Sequence, residues 1–103
     1  MTLIYAGTQF PETIKASMAY AEGRRAEKAR NFPVALADYE TVLATYPDSP
    51  LAIAHLGLTY YRSGDVTDAI WVLGDLWGRN NPKEVAGQID NVFREVKKRA
   101  GVK

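Results

Sequence analysis

Apolar residues recur along the chain at helical spacing, and the prolines and glycines cut the pattern into five pieces. The first predicted helix runs from about Pro11 to Arg30, with Ile14, Met18, Ala21, Arg25 and Ala29 at helical spacing and the charges clustered late, in EGRRAEKAR. Pro11 and Glu12 suit a helix start, where a missing N–H costs nothing and a negative charge meets the dipole. Asn31 is the expected cap of a second helix, Val34 to Tyr46, which carries Pro33 in its first turn and ends at Pro47. After the Pro47-Asp48-Ser49-Pro50 turn, a third helix is expected from Leu51 to Arg62. Ser63-Gly64-Asp65 makes the next turn, and Val66 to about Trp77 the fourth helix. Gly78 and Arg79-Asn80-Asn81-Pro82 break the chain again. The last helix, about Lys83 to Ala100, carries Val85, Ile89, Val92 and Val96 as one stripe. No segment alternates with period two over a strand's length, so the predicted class is all-α.

The pattern also repeats. An offset of 34 residues aligns Gly23 with Gly57, Asn31 with Asp65, Phe32 with Val66 and Ala35 with Ala69. It further aligns Leu36 with Ile70, Tyr39 with Leu73, Val42 with Leu76 and Leu43 with Trp77. Apolar meets apolar, small meets small and turn residue meets turn residue. Each copy is one helical hairpin.

Composition narrows the chemistry. One domain suits 103 residues, and 47% apolar with 24% charged residues is ordinary for a globular chain. The absence of Cys excludes disulfides, thiolate metal sites and cysteine nucleophiles. A net charge of +1 gives no general reason to expect nucleic acid or anionic lipid. Two basic clusters exist, Arg24, Arg25, Lys28 and Arg30, then Arg94, Lys97, Lys98 and Arg99. Both close helices, where the dipole favours positive charge, and no aromatics interleave with them. Neither nucleic acid nor membrane is expected as a partner. The first ten residues do not read as a secretory signal, and no uncharged run approaches the length of a bilayer span, so a cytoplasmic protein is expected. His55 is the only imidazole. No nucleophile elbow surrounds any serine that could join it, no phosphate loop exists, and one His without Cys is a poor metal site. Neither an enzyme nor a cofactor is expected.

The hairpin residues resemble the tetratricopeptide repeat family, whose unit is a 34-residue helix–turn–helix. LGLTYYRSGDVTDAI carries the closest match, with Leu56-Gly57, Tyr60, Gly64 and Ala69, and Pro47 matches the proline that closes a repeat. The first copy departs from the pattern at Glu22 and Ala26, where a large aliphatic and an aromatic residue are usual. Asn91 and Arg94 at aligned positions make the last helix a capping helix rather than a third repeat. Residues 1–10 are an expected N-terminal arm before the helical domain of residues 11–103, in which the resemblance implies repeat one over about 16–49, repeat two over about 50–83, and the cap over about 84–100. It implies a right-handed stack of hairpins whose first helices line a concave groove.

Carried onto this chain, the groove positions are Ser17, Tyr20, Arg24 and Glu27, then Leu51, His55, Leu58, Tyr61 and Arg62, and last Gln88, Ile89 and Val92. Some family members hold a chaperone's C-terminal carboxylate through a Lys/Asn/Arg set, which Tyr20, Ala21 and Ala54 do not reproduce. The expected floor is apolar, from Leu51, Leu58 and Ile89, with Tyr20 and Tyr61 as anchors and Arg24 and Arg62 at the rim. Such a surface suits an amphipathic segment bearing an acidic residue or two. The implied function is a non-enzymatic interaction module, an adaptor or chaperone-like protein. By size and architecture, a small secretion-system chaperone is one form of it. Self-association is the alternative. In AIWVLGDLW the helix is apolar nearly all round, so Trp71 and Val72 form a candidate second interface unless the last helix or the N-terminal arm covers them.

Overall fold

The computed structural model describes residues 11–101; the N-terminal arm of residues 1–10 lies outside them. Five α-helices follow one another: α1 (Glu12–Lys28), α2 (Phe32–Thr45), α3 (Pro50–Arg62), α4 (Val66–Gly74) and α5 (Lys83–Arg99), with no strand among the described residues. Helix α1 packs on α2 and α3 on α4, while α2 joins the two hairpins by packing on α3, and α5 closes the stack against α3.

Starts and stops follow local chemistry. Ser49 caps α3 by accepting from the Ala52 N–H at 3.3 Å, and Asp65 caps α4 by accepting from the Asp68 N–H at 3.2 Å. Asn31 holds the cap position of α2, but its side chain makes no capping bond. Helix α4 is shorter than its apolar run suggested. It ends at Gly74, and a turn to Gly78, at φ 80°, swings Trp77 towards α5. There the Trp77 ring sits 4.3 Å from the Phe93 ring, still half-exposed.

Two different cores hold the two hairpins. Around α3, α4 and α5 the core is aliphatic: Ala54, Leu58, Leu73, Leu76, Val85, Ile89 and Val92. The α5 stripe predicted from sequence is buried against it, with Val96 at its edge. Around α1 and α2 the core is made of small residues and one large ring: Ala26, Ala35, Tyr39 and Leu56, continued by Ala19, Val42 and Ala52. The stripe expected on α1 is on the wrong face. Ile14, Met18, Ala21, Arg25 and Ala29 are exposed, and α1 buries Ala16, Ala19, Gly23 and Ala26 instead. Small side chains let α1 lie close on α2, whereas Ile14 and Met18 point away from α2 and are exposed.

The same close approach governs both hairpins. A Cβ added at Gly57 would stand 2.5 Å from Leu73 Cγ, and one at Gly23 would stand 2.9 Å from the Tyr39 ring. The residue that fills the gap differs: Tyr39 on α2 in the first hairpin and Leu73 on α4 in the second, while Tyr60 packs on the Tyr39 and Leu56 core.

Candidate functional site

Helices α1 and α3 lie side by side on the face that the groove positions share, with α5 beyond α3. Two pockets open there. The first, about 290 Å³, is lined by Ala16, Ser17, Tyr20 and Leu51 together with Val42, Tyr46 and Ser49. The second, about 390 Å³, lies towards the C-terminal ends of α1 and α3 and is lined by Arg24, Glu27, Lys28, Arg30, His55, Arg62 and Gln88. Tyr20 connects them: it lines the first, and its ring meets edge-on, at 5.9 Å, the His55 ring that lines the second.

A buried polar cluster forms the floor of the second pocket. Glu27 is a buried carboxylate on α1. Its Oε1 accepts the Tyr39 hydroxyl at 2.6 Å, and its Oε2 accepts from the Arg62 guanidinium. Arg24 Nε stands 3.8 Å from the same Oε1. Arg62 in turn donates to Gln88 at 2.6 Å, so one side chain ties α1, α3 and α5 together across the groove. A carboxylate taken out of water needs such partners, because unpaired it would cost several kcal/mol.

His55 is stacked on Tyr39, with ring centroids 5.5 Å apart, and is only 4% exposed. Burial, then the charge of Arg24, push its pKa down to about 4, against a smaller opposing effect of Glu84. The imidazole is therefore neutral at pH 7. Its Nδ1 lies 3.2 Å from Glu27 Oε1 without hydrogen-bond geometry, so the pair is a contact rather than a salt bridge. Burial also holds the Tyr39 hydroxyl protonated, with its pKa well above the usual phenol value. The arrangement positions donors and cations; it assembles no nucleophile beside a base. Ser63 donates to the Tyr60 carbonyl and Ser49 caps α3, both away from His55. No group of three His, Cys, Asp or Glu close enough for a metal exists among the described residues.

Several expected groove residues are placed differently. Leu58 and Ile89 are 2% and 1% exposed, inside the aliphatic core, and Val92 lies there with them. They support the groove from beneath and offer no surface to a ligand. His55 is likewise beneath the surface. Tyr61 is half-buried against the same core, with the Arg99 guanidinium 5.8 Å from its ring, and lines neither pocket. Tyr20, Arg24, Leu51, Arg62, Ser17 and Gln88 do face the pockets. On the opposite side, Trp71 and Val72 part company. Val72 is half-buried against the Tyr39 and Leu56 core, while Trp71 stands 78% exposed, without cover from α5.

Sequence reasoning missed Lys28 and Arg30 as pocket residues, and read Tyr39 as only an apolar match to Leu73. Arg30 carries a signal that could have found it. It aligns with Gly64, the turn glycine of the second copy, and the backbone there is left-handed in both: φ 96° at Gly64 and φ 61° at Arg30. A side chain at that position costs about 1 kcal/mol.

A family model for the tetratricopeptide repeat matches residues 20–84, spanning α1 from Tyr20 through the start of α5. The chain belongs to the tetratricopeptide repeat family. No curated protein and no solved structure matches it. Tetratricopeptide repeats mediate protein–protein interactions, and this one presents to solvent a groove of two chemically distinct halves. No helix among the described residues is long and apolar enough to cross a membrane.

Proposed function

We propose that this tetratricopeptide repeat chain is a non-enzymatic adaptor that holds an amphipathic segment of a partner protein in its α1–α3 groove. The observation that carries the reading is the pairing of the two pockets. Tyr20, Tyr46 and Leu51 offer apolar surface at one end, and Arg24 and Arg62 stand at the other. A segment with an apolar anchor and an acidic residue further along would meet both. The apolar pocket supplies desolvation and the cations fix register and speed encounter. A cytoplasmic adaptor or a small chaperone of this kind would keep its partner's segment from other contacts by the same means.

A random-peptide library selected on the protein tests the proposal. Enriched peptides should combine an aromatic or aliphatic residue with Asp or Glu. Tyr20→Ala should lower their affinity about tenfold. Arg62→Glu should weaken them more at low salt than at high salt, with folding checked by circular dichroism. Peptides that bind both variants as well as the parent would overturn the groove reading.

Trp71 supports the alternative, self-association through the outer face of α4, because a tryptophan 78% exposed is costly to leave in water. Light scattering on the parent and on Trp71→Ser separates the readings. A parent dimer that Trp71→Ser dissolves would favour self-association, and a monomer at all concentrations would remove it.

A further inference from the structure

We infer that the pocket at the C-terminal ends of α1 and α3 is a binding site for a single oxyanion, a carboxylate or phosphate group presented by the partner. The groove reading supplies only what delivers the anion; the site itself stands on its own observations.

The first is charge. Arg24, Lys28, Arg30 and Arg62 surround one carboxylate, Glu27. Glu27 already accepts from Tyr39 and Arg62, and neither Lys28 nor Arg30 makes an ion pair among the described residues. A pocket with this excess of positive charge repels a cation and attracts an anion. The second is unmet hydrogen bonding. Arg24 Nε and both ring nitrogens of His55 are buried and have no hydrogen-bond partner. Buried polar atoms are nearly always paired. Arg24 Nε and His55 Nδ1 face Glu27 Oε1 at 3.8 and 3.2 Å without bonding it, and Arg24 and His55 both line this pocket, where an oxyanion accepts from the guanidinium N–H and from the single N–H of the neutral imidazole. The third is Arg30 itself, a lining residue held in a left-handed backbone where the second hairpin has glycine. Strain of that kind marks a position where the side chain is needed.

Groups facing the imidazole come from every neighbouring helix: Tyr20, Arg24 and Glu27 from α1, Tyr39 from α2, Glu84 and Gln88 from α5, and Arg62 from its own helix. An anion beside Arg24 offsets the positive charge that disfavours the imidazolium, so binding should raise the His55 pKa.

His55 is the only histidine, so its Cε1 proton gives the only signal of its kind in the proton NMR spectrum. Inorganic phosphate and acetate, titrated at constant ionic strength against chloride, should each shift it saturably. At saturation its pKa should rise by about one unit. Arg24→Gln should weaken binding about tenfold, and Lys28→Gln and Arg30→Gly should each weaken it severalfold. Whichever anion saturates at lower concentration identifies the source, and glutamate- and phosphoserine-bearing versions of one selected peptide should rank the same way. A shift that follows ionic strength alone, or that Arg24→Gln, Lys28→Gln and Arg30→Gly all leave unchanged, overturns the site. Free anions that bind while no peptide competes with them would leave the site standing and remove the groove reading. Peptides that bind without displacing phosphate or acetate would do the reverse.

Discussion

The two hairpins share one backbone plan but spend their interiors differently. In the second, Gly57 brings α3 onto Leu73, and the space around it fills with Leu58, Leu76, Val85 and Ile89. In the first, Gly23 brings α1 onto Tyr39, and the space beyond holds a carboxylate, a phenol and a neutral imidazole. An aliphatic core is tolerant and strong, and it serves as the platform. A buried polar cluster is only as good as its partners, and it sits where α1 and α3 meet solvent. The aliphatic core thus lies among α3, α4 and α5, and the polar cluster where α1, α2 and α3 meet.

The sharpest way to break this comparison is a charge on either side of it. Leu58→Asp puts a carboxylate into the aliphatic core and should unfold the domain, at a cost of about 4 kcal/mol or more. Leu51→Asp, half-buried at the apolar pocket, should leave a folded protein, with a loss of about 1–2 kcal/mol. Denaturant titrations compare the two directly. Equal losses would mean that the platform and the groove are not distinct.

The polar cluster also predicts a pH dependence that the aliphatic core lacks. The His55 pKa is about 4 folded against 6.5 unfolded, so protons bind the unfolded chain more tightly. Its contribution is complete above pH 6.5 and is lost as pH falls towards 4, by at most about 3 kcal/mol. Asp38 pulls the other way. Burial, then its hydrogen bond and charge contact with Glu22, raise it to about 6 from 3.8, so its contribution is present below 3.8 and lost as pH rises through 6. Between pH 6.5 and 4 the two oppose each other. Asp38→Asn should therefore steepen the fall in melting temperature across that window. Parallel curves in the two proteins would contradict the raised pKa of Asp38, and no fall towards pH 4 in Asp38→Asn would contradict the assignment of His55 as buried and neutral.

Most of the fold was legible in the sequence because the elements there are set by short-range chemistry. Prolines, glycines and the 34-residue offset mark every helix, and the α5 stripe reads directly as its buried face. The site was legible only in part. Leu58 and Ile89 occupy groove positions by alignment, yet α5 closes over α3 and draws both into the core. The α1 stripe misled because close packing on α2 selects the small residues: Ala16, Ala19, Gly23 and Ala26 face inwards, and Ile14 and Met18 face outwards. Glu27, Tyr39 and His55 are far apart in sequence and ordinary in kind. Only their packing makes a cluster of them.

The smallest effect comes from the strained turn. Arg30→Gly should stabilise the first hairpin by about 1 kcal/mol, since glycine adopts φ 61° without penalty, as Gly64 does in the second. Stability gained together with anion affinity lost would show that the strain is tied to the pocket. A destabilised variant would mean that the contact of the Arg30 guanidinium with Phe32, 5.1 Å from the ring, outweighs the turn.

The proposed groove between α1 and α3 is tested most directly by mapping a selected peptide onto the ¹⁵N-labelled protein. The account predicts shifts at Ser17, Tyr20, Arg24, Leu51, Arg62 and Gln88, the residues lining the two pockets, with the Trp71 indole unmoved. Shifts centred on Trp71 and α4, with those six residues unchanged, would contradict it.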